Sequence, residues 1–305
     1  MKPLPLPTTT LPTSEIILGC MRIAKLSKGD ASLLLNTALD SGINFFDHAD
    51  IYGAGRSEEV FAEALSMNPA LRENIYIQTK CGIRKGYFDF SKEHILNSVD
   101  QSLKRLKTDY IDTLLLHRPD TLVEPEEVAE TFNTLDSAGK VKHFGVSNHN
   151  PGQIELLQKF VDQKLIINQL QFSPTNTGMI DRGFNVNMEN PSSIDHDGGI
   201  LDYCRLHDIR IQLWSPFLFG YFEGIYLDHP KFPELNEALE RIAKEKNTNK
   251  SALIITWMLR HPAKMQPIVG TTNPERLVDI CKASDITLSR PEWYEIYRAA
   301  GNELP

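Results

Sequence analysis

Residues 45–53 read Phe45-Phe46-Asp47-His48-Ala49-Asp50-Ile51-Tyr52-Gly53. A short apolar run (Ile43, Phe45, Phe46) ends abruptly in the Asp47 carboxylate, and a tyrosine follows five positions later. An extended segment of this kind carries Asp47 to one end of a core. The loop beyond brings the Tyr52 hydroxyl back over that same end. A phenol placed there serves as an acid if something lowers its ordinary pKa of about 10. The agent expected is a cation, held near the phenol by a buried carboxylate.

Outward from this stretch the pattern is regular. Short β-branched or apolar runs alternate with amphipathic segments of helical length, the signature of βαβ units and a parallel sheet. The runs at 16–19, 43–47, 75–79, 111–116, 141–146, 165–170, 210–214 and 266–269 predict eight strands. Between them, helices are expected to start at Ser57, after Ser91, at Asn150-Pro151 and at Asn273-Pro274. In the last two, a capping Asn precedes a proline suited to the first helical position. Eight strands with intervening helices predict a (β/α)8 TIM barrel in the α/β class, with a doubly wound sheet as the competing architecture. No interdomain linker is visible, so residues 1–305 read as a single barrel domain with residues 1–14 as an N-terminal extension. Residues 173–199 and 217–233 break the alternation as long strand-to-helix loops, where such loops usually hold about 2–6 residues. The aromatics of the second (Phe219, Tyr221, Phe222, Tyr226) suit a binding surface at the C-terminal face of the barrel. Residues 290–305 leave room for one short helix and a tail, which predicts an open site.

Composition narrows the function. The chain has 305 residues, 41% hydrophobic and 24% charged, with a formal charge of −8. Without a Lys/Arg-rich run, nucleic acid and anionic membrane are poor partners. Cys20, Cys81, Cys204 and Cys281 form no CxxC pair and read as reduced thiols. The N-terminus has no apolar h-region and no stretch approaches a membrane span, so a cytoplasmic protein is expected. Asp195, His196 and Asp197 lie in a polar insertion with no second cluster, and no metal site is assigned.

In a barrel, chemistry collects at the C-terminal strand ends. Here those ends carry Gly19-Cys20-Met21, Asp47, Thr79-Lys80, His117, Ser147-Asn148, Asn168-Gln169, Trp214-Ser215 and Gly270-Thr271. Singly, each has a plainer explanation as a paired surface charge, a packed aromatic or a turn residue. Together, polar groups at the required strand ends argue for a site.

These motifs resemble the aldo-keto reductase family, from Leu18 to Arg276. The family's catalytic Asp, Tyr, Lys and His fall on Asp47, Tyr52, Lys80 and His117, within Phe-Asp-x-Ala-Asp-x-Tyr-Gly, Thr-Lys and Leu-Leu-His-Arg-Pro-Asp. The resemblance implies that Ser147, Asn148 and Gln169 hold a nicotinamide carboxamide, with Trp214 stacked on the ring. Met21, Ser215 and Phe217 would complete that end, and Gly270, Thr271 and Thr272 would meet the cofactor phosphates. Arg276 would grip a 2′-phosphate, favouring NADPH with NADH left open, although Gly270 stands where many members place a lysine. A Rossmann site is not expected, since no GxGxxG follows the first strand.

The chemistry expected is reduction of aldehyde or ketone carbonyls in a small-molecule substrate. Lys80 would depress the Tyr52 pKa, Asp47 would keep Lys80 charged, and His117 would orient the carbonyl. The pocket is expected to be lined by Met21, Tyr52, Arg118, Phe217 and both long loops. Arg118 either favours a substrate carboxylate or pairs with Asp120. Two alternatives keep the fold: a nicotinamide-binding regulatory subunit with little turnover, and an NAD(P)-linked sugar or polyol dehydrogenase. Oligomeric state is not readable from the sequence.

Overall fold

The computed structural model describes residues 1–7 and 12–305. Residues 8–11, within the expected N-terminal extension, lie outside the described residues. Eight parallel strands close a barrel in sequential order: β1 (Ile17–Gly19), β2 (Phe45–Asp47), β3 (Tyr76–Cys81), β4 (Ile111–Leu116), β5 (Val141–Ser147), β6 (Leu165–Gln171), β7 (Arg210–Trp214) and β8 (Gln266–Val269). β1 pairs with β2 through Gly19 and Asp47 and with β8 through Ile17 and Ile268, so the sheet has no edge and the doubly wound alternative falls. The predicted limits hold at 111–116, 210–214 and 266–269 and shift by one or two residues in the other five strands.

Three of the four expected helix starts form as read. Ser91, Asn150 and Asn273 each accept a backbone N–H from the residue three positions on, and Pro151 and Pro274 open their helices. The fourth begins at Arg56 rather than Ser57, behind a left-handed Gly55 at φ 92°. The Ser57 hydroxyl is turned instead to the Met21 carbonyl, to which it donates at 3.2 Å across 36 positions.

The N-terminal residues close the barrel floor. Pro3 bridges Ser14, and the Leu4 N–H donates to the Thr13 carbonyl at 2.7 Å. Leu6 is thereby buried among Ile17, Phe45, Tyr76, Leu115, Ile167 and Ile268, the inward residues of five strands and β8. Apolar burial thus fills the lower barrel and leaves the upper end for polar groups.

The two long loops part company. Residues 173–199 fold into a helix (Gly178–Phe184) and a 3-10 turn (Pro191–Ser193) that dock on the C-terminal helix (Arg290–Ala299). Tyr297 donates to Asp181 at 2.7 Å, and Asn302 donates to the Pro174 carbonyl at 2.8 Å. Residues 217–233 instead carry a hairpin of Leu218–Phe219 against Gly224–Ile225. The fully buried Tyr226 anchors it by donating to the Pro216 carbonyl at 2.6 Å.

Below the site, the buried Arg72 ties β3 to β4. Its guanidinium reaches Asp112 at 2.6 Å and donates to the Ile75 and Tyr110 carbonyls at 2.9 and 3.0 Å. Asp112 in turn accepts the Ile77 N–H at 2.9 Å. Arg72→Met would leave a buried carboxylate short of its main partner, and a cost of about 3–5 kcal/mol is expected in urea unfolding. A loss below about 1 kcal/mol would show that the pair is dispensable.

Candidate active site

The barrel mouth opens into a cavity of about 530 Å³. Asp47 ends β2 and Lys80 lies on β3, whose alternation turns Gln78 and Lys80 inward. Lys80 is fully buried, and its ammonium meets Asp47 Oδ1 and Oδ2 at 2.8 and 2.7 Å and the His48 carbonyl at 2.8 Å. The same nitrogen lies 3.3 Å from the Tyr52 hydroxyl. Tyr52 arrives on a 3-10 turn (Tyr52–Gly55) made possible by left-handed Gly53 and Ala54. Its ring stands edge-on to His117, with centroids 6.1 Å apart. The four side chains singled out in the sequence therefore converge, Lys80 sealed behind the wall and the other three lining the cavity.

Electrostatics correct one expectation. The Tyr52 phenol is pushed up rather than down, because burial outweighs the favourable effect of Lys80. Burial alone would strip the Lys80 proton, but the Asp47 carboxylate and then Tyr52 reverse that and raise its pKa. His117 is held well below the usual imidazole range by burial, then by Lys80 and Arg118, so it is neutral. The result is a protonated phenol touching a fixed ammonium beside a neutral imidazole.

Two glutamines were missed in the sequence. Gln78 donates to Asp47 Oδ1 at 2.6 Å and to Gln212 Oε1 at 2.8 Å, and Gln169 donates to the same two atoms at 3.0 and 3.2 Å. Their signal was available: Gln78 and Gln212 sit two residues before Lys80 and Trp214, hence on the same strand face. Gln169, expected at a carboxamide, thus also orients Asp47.

On the facing wall, Trp214 donates to Asn148 Oδ1 at 3.1 Å, and Asn148 donates to Ser147 Oγ at 2.7 Å. Phe222 stacks on Trp214 with centroids 6.1 Å apart, brought there by the loop hairpin. Met21, Ser147, Asn148, Gln169, Ser215, Phe217, Gly270, Thr271 and Arg276 all line the cavity. Thr272 does not, and residues 173–199 contribute nothing to the lining, contrary to expectation, because they pack outward on the C-terminal helix. Residues 217–233 do line it, through Phe217, Tyr221, Phe222, Ile225, Leu227 and Asp228 among others, and Arg22 and Ile83 line it unforeseen. Arg118 does not pair with Asp120, which accepts the N–H groups of Phe90 and Leu122; its guanidinium lies 5.7 Å from the Trp214 ring centroid. Cys81 is buried with its thiol pushed well up, which removes it as a reactive group. Asp195 and Asp197 pair with Arg182.

His48 sits fully buried against Phe61, both ring nitrogens without a hydrogen bond among the described residues. Burial and then Lys80 lower its pKa to about 3. Below its ordinary 6.5, the unfolded chain takes up a proton that the folded chain refuses, so stability falls as pH drops from 6.5 towards 3. His117 adds a slope of the same sign. His48→Asn should therefore lose less Tm than the wild type between pH 7 and 5; equal losses would refute the assignment.

The sequence matches the Aldo/keto reductase family over residues 15–300. It is 37% identical to the uncharacterized oxidoreductase YcsN of Bacillus subtilis, over 96% of each chain. It is 35% identical to a 6-dehydroglucose reductase of Agrobacterium fabrum, over 96% of this chain and 97% of that one. The structure of an aldo-keto reductase from Klebsiella pneumoniae in complex with NADPH aligns with a TM-score of 0.78 at 22% identity, over 99% of this chain and 96% of that one, a likeness of fold. This chain belongs to the aldo/keto reductase family.

Proposed function

We propose that the protein reduces aldehyde or ketone carbonyls to alcohols with NADPH, Tyr52 acting as the proton donor. The observation that carries this reading is the Lys80 ammonium, bound by both oxygens of Asp47 and 3.3 Å from the Tyr52 hydroxyl at the cavity wall.

The donor set suits the cofactor. Arg276 carries no carboxylate partner among the described residues and lines the cavity beside Thr271. The backbone at Gly270 is open, since a Cβ there would meet nothing within 4 Å. A second hollow of about 330 Å³ adjoins beyond Arg276, lined by Lys250, Asn273 and Asp279 among others. Trp214, Ser147, Asn148 and Gln169 would hold the nicotinamide end, and Arg276 the 2′-phosphate. NADPH, when bound, supplies a hydride to the carbonyl carbon.

The chain's own work is positioning and proton delivery. Neutral His117 and the Tyr52 hydroxyl flank the place where a carbonyl oxygen sits. A phenol with a raised pKa stays protonated at neutral pH and releases its proton only to the strongly basic oxygen that develops during reduction. Lys80 then stabilises the phenolate left behind, and Asp47, held by Gln78 and Gln169, keeps that ammonium in place. Trp214, Phe222 and Tyr221 form an aromatic wall, with Arg118 and His117 as polar groups. That combination favours a hydroxylated, sugar-like carbonyl compound, consistent with the 6-dehydroglucose reductase among the relatives.

The test is NADPH oxidation with aldehydes, ketones and sugar aldehydes, comparing wild type with Tyr52→Phe. A drop in kcat of about 10²–10⁴-fold with unchanged NADPH affinity is expected. Equal rates in the two proteins would remove Tyr52 as the acid. NADPH binding with no turnover in either would move the regulatory-subunit reading to first place. Faster oxidation of polyols than reduction of any carbonyl would favour the dehydrogenase.

A further inference from the structure

Arg118 lines the cavity and is partly buried, yet its guanidinium makes neither a hydrogen bond nor an ion pair among the described residues. Its five N–H groups are unused, and it lies over the Trp214 ring, 5.7 Å from the centroid. The carboxylates that could meet it are already engaged. Asp120, two residues on, accepts the Phe90 N–H at Oδ2 and the Leu122 N–H at Oδ1, at 3.0 and 2.9 Å. The cavity's own two acids are taken as well: Asp47 gives both oxygens to Lys80, and Asp228 pairs with Lys250. A partly buried cation with no anion of its own, in the wall of the candidate active site, points to an anion brought by the occupant.

The chain fixes where that cation stands. The His117 N–H donates to the Cys81 carbonyl at 2.9 Å, and Asn148 Nδ2 donates to the His117 carbonyl at 3.5 Å. Pro119 disfavours a helical turn at Arg118. Arg118 therefore rises from the end of β4 and leans towards Trp214 at the end of β7. In the closed ring β4 lies four strands from β8, so Arg118 is rooted on the opposite side of the barrel from Thr271 and Arg276. Its neighbour is His117, and consecutive Cα atoms are about 3.8 Å apart. A carbonyl beside His117 and an anion on Arg118 thus belong to one small molecule. The helix after β4 opens at Pro125 with Glu126 and Glu127 in its first turn, so it adds no positive pole for a phosphate. A single planar cation suits the two oxygens of a carboxylate.

We propose that Arg118 selects the substrate: a carbonyl compound that carries a carboxylate, held as a bidentate pair on the guanidinium while His117 and Tyr52 meet its carbonyl oxygen. This rests on the carbonyl-reductase reading above and narrows its sugar-like compound to a sugar acid or a shorter oxo acid. The carboxylate takes no part in the bond changes at the carbonyl. Its work is to add binding and to turn the carbonyl, rather than another part of the molecule, towards Tyr52. Trp214 shields one side of the pair from water, where a charge-assisted contact gains strength.

The experiment measures kcat/KM with NADPH for two matched pairs, 4-oxobutanoate against butanal and glucuronate against glucose, in wild type, Arg118→Met and Arg118→Lys. Thermal melts and a titration of Trp fluorescence with NADPH accompany each variant. Wild type should favour the acid of each pair by at least about 10-fold. Arg118→Met should bring that ratio to within about twofold of one, chiefly by raising KM for the acid, and Arg118→Lys should keep part of it. A ratio near one in wild type, or a ratio that survives Arg118→Met, overturns the assignment. So does a loss of NADPH affinity in Arg118→Met, which would make Arg118 a cofactor residue. A stronger preference for glucose 6-phosphate than for glucuronate overturns it too. If wild type reduces no carbonyl compound at all, the reductase reading itself fails and takes this one with it, a result distinct from a lost preference.

Discussion

A lysine ammonium with no exposure to water has to be neutralised where it stands, and much of the upper barrel is arranged around that requirement at Lys80. Moving such an ion out of water carries an effective penalty of several kcal/mol unless geometry and hydrogen bonding are nearly complete. Asp47 meets it with both oxygens, the His48 carbonyl adds a third contact, and Tyr52 is the fourth. Asp47 in turn is held by Gln78 and Gln169, which share Gln212 as a second acceptor. The consequence reaches the phenol. Burial raises the Tyr52 pKa, and the ammonium opposes it only in part, so the group remains an acid with a cation waiting beside its conjugate base.

That arrangement needs a rigid frame, and the barrel supplies it from below. Leu6 and the inward residues of the strands fill the lower interior, while Arg72 joins β3 to β4 under the site. The two long loops settle differently on it. Residues 173–199, the longest of them, settle against the C-terminal helix and leave the mouth alone. The shorter segment carries Phe222 over Trp214 and shapes one wall. Loop length alone did not identify the loop that matters; anchoring did, through the buried Tyr226 of the second and the Asp181–Tyr297 tie of the first.

Charge is distributed with similar economy. The net charge is −8, yet the cavity gathers Arg22, Arg118 and Arg276, none of them ion-paired among the described residues. Composition averages such a local inversion away, which is why the net charge was silent about a basic hollow.

Much was legible in the sequence itself. Short β-branched or apolar runs marked all eight strands, Asn-Pro pairs marked two helix starts, and polar residues following apolar runs marked Asp47, Lys80, His117 and Asn148. These are local signals, written in residues close together along the chain. What the tertiary structure decided is non-local. The direction of the Tyr52 pKa shift depends on how much water the closed barrel excludes, which no motif states. The helix starts before Ser57, whose hydroxyl is turned to Met21, 36 positions away. Arg22 meets Gly270 across 248 positions only because the last strand closes onto the first. Contacts of that span come from closure of the sheet, and closure is a property of the whole chain.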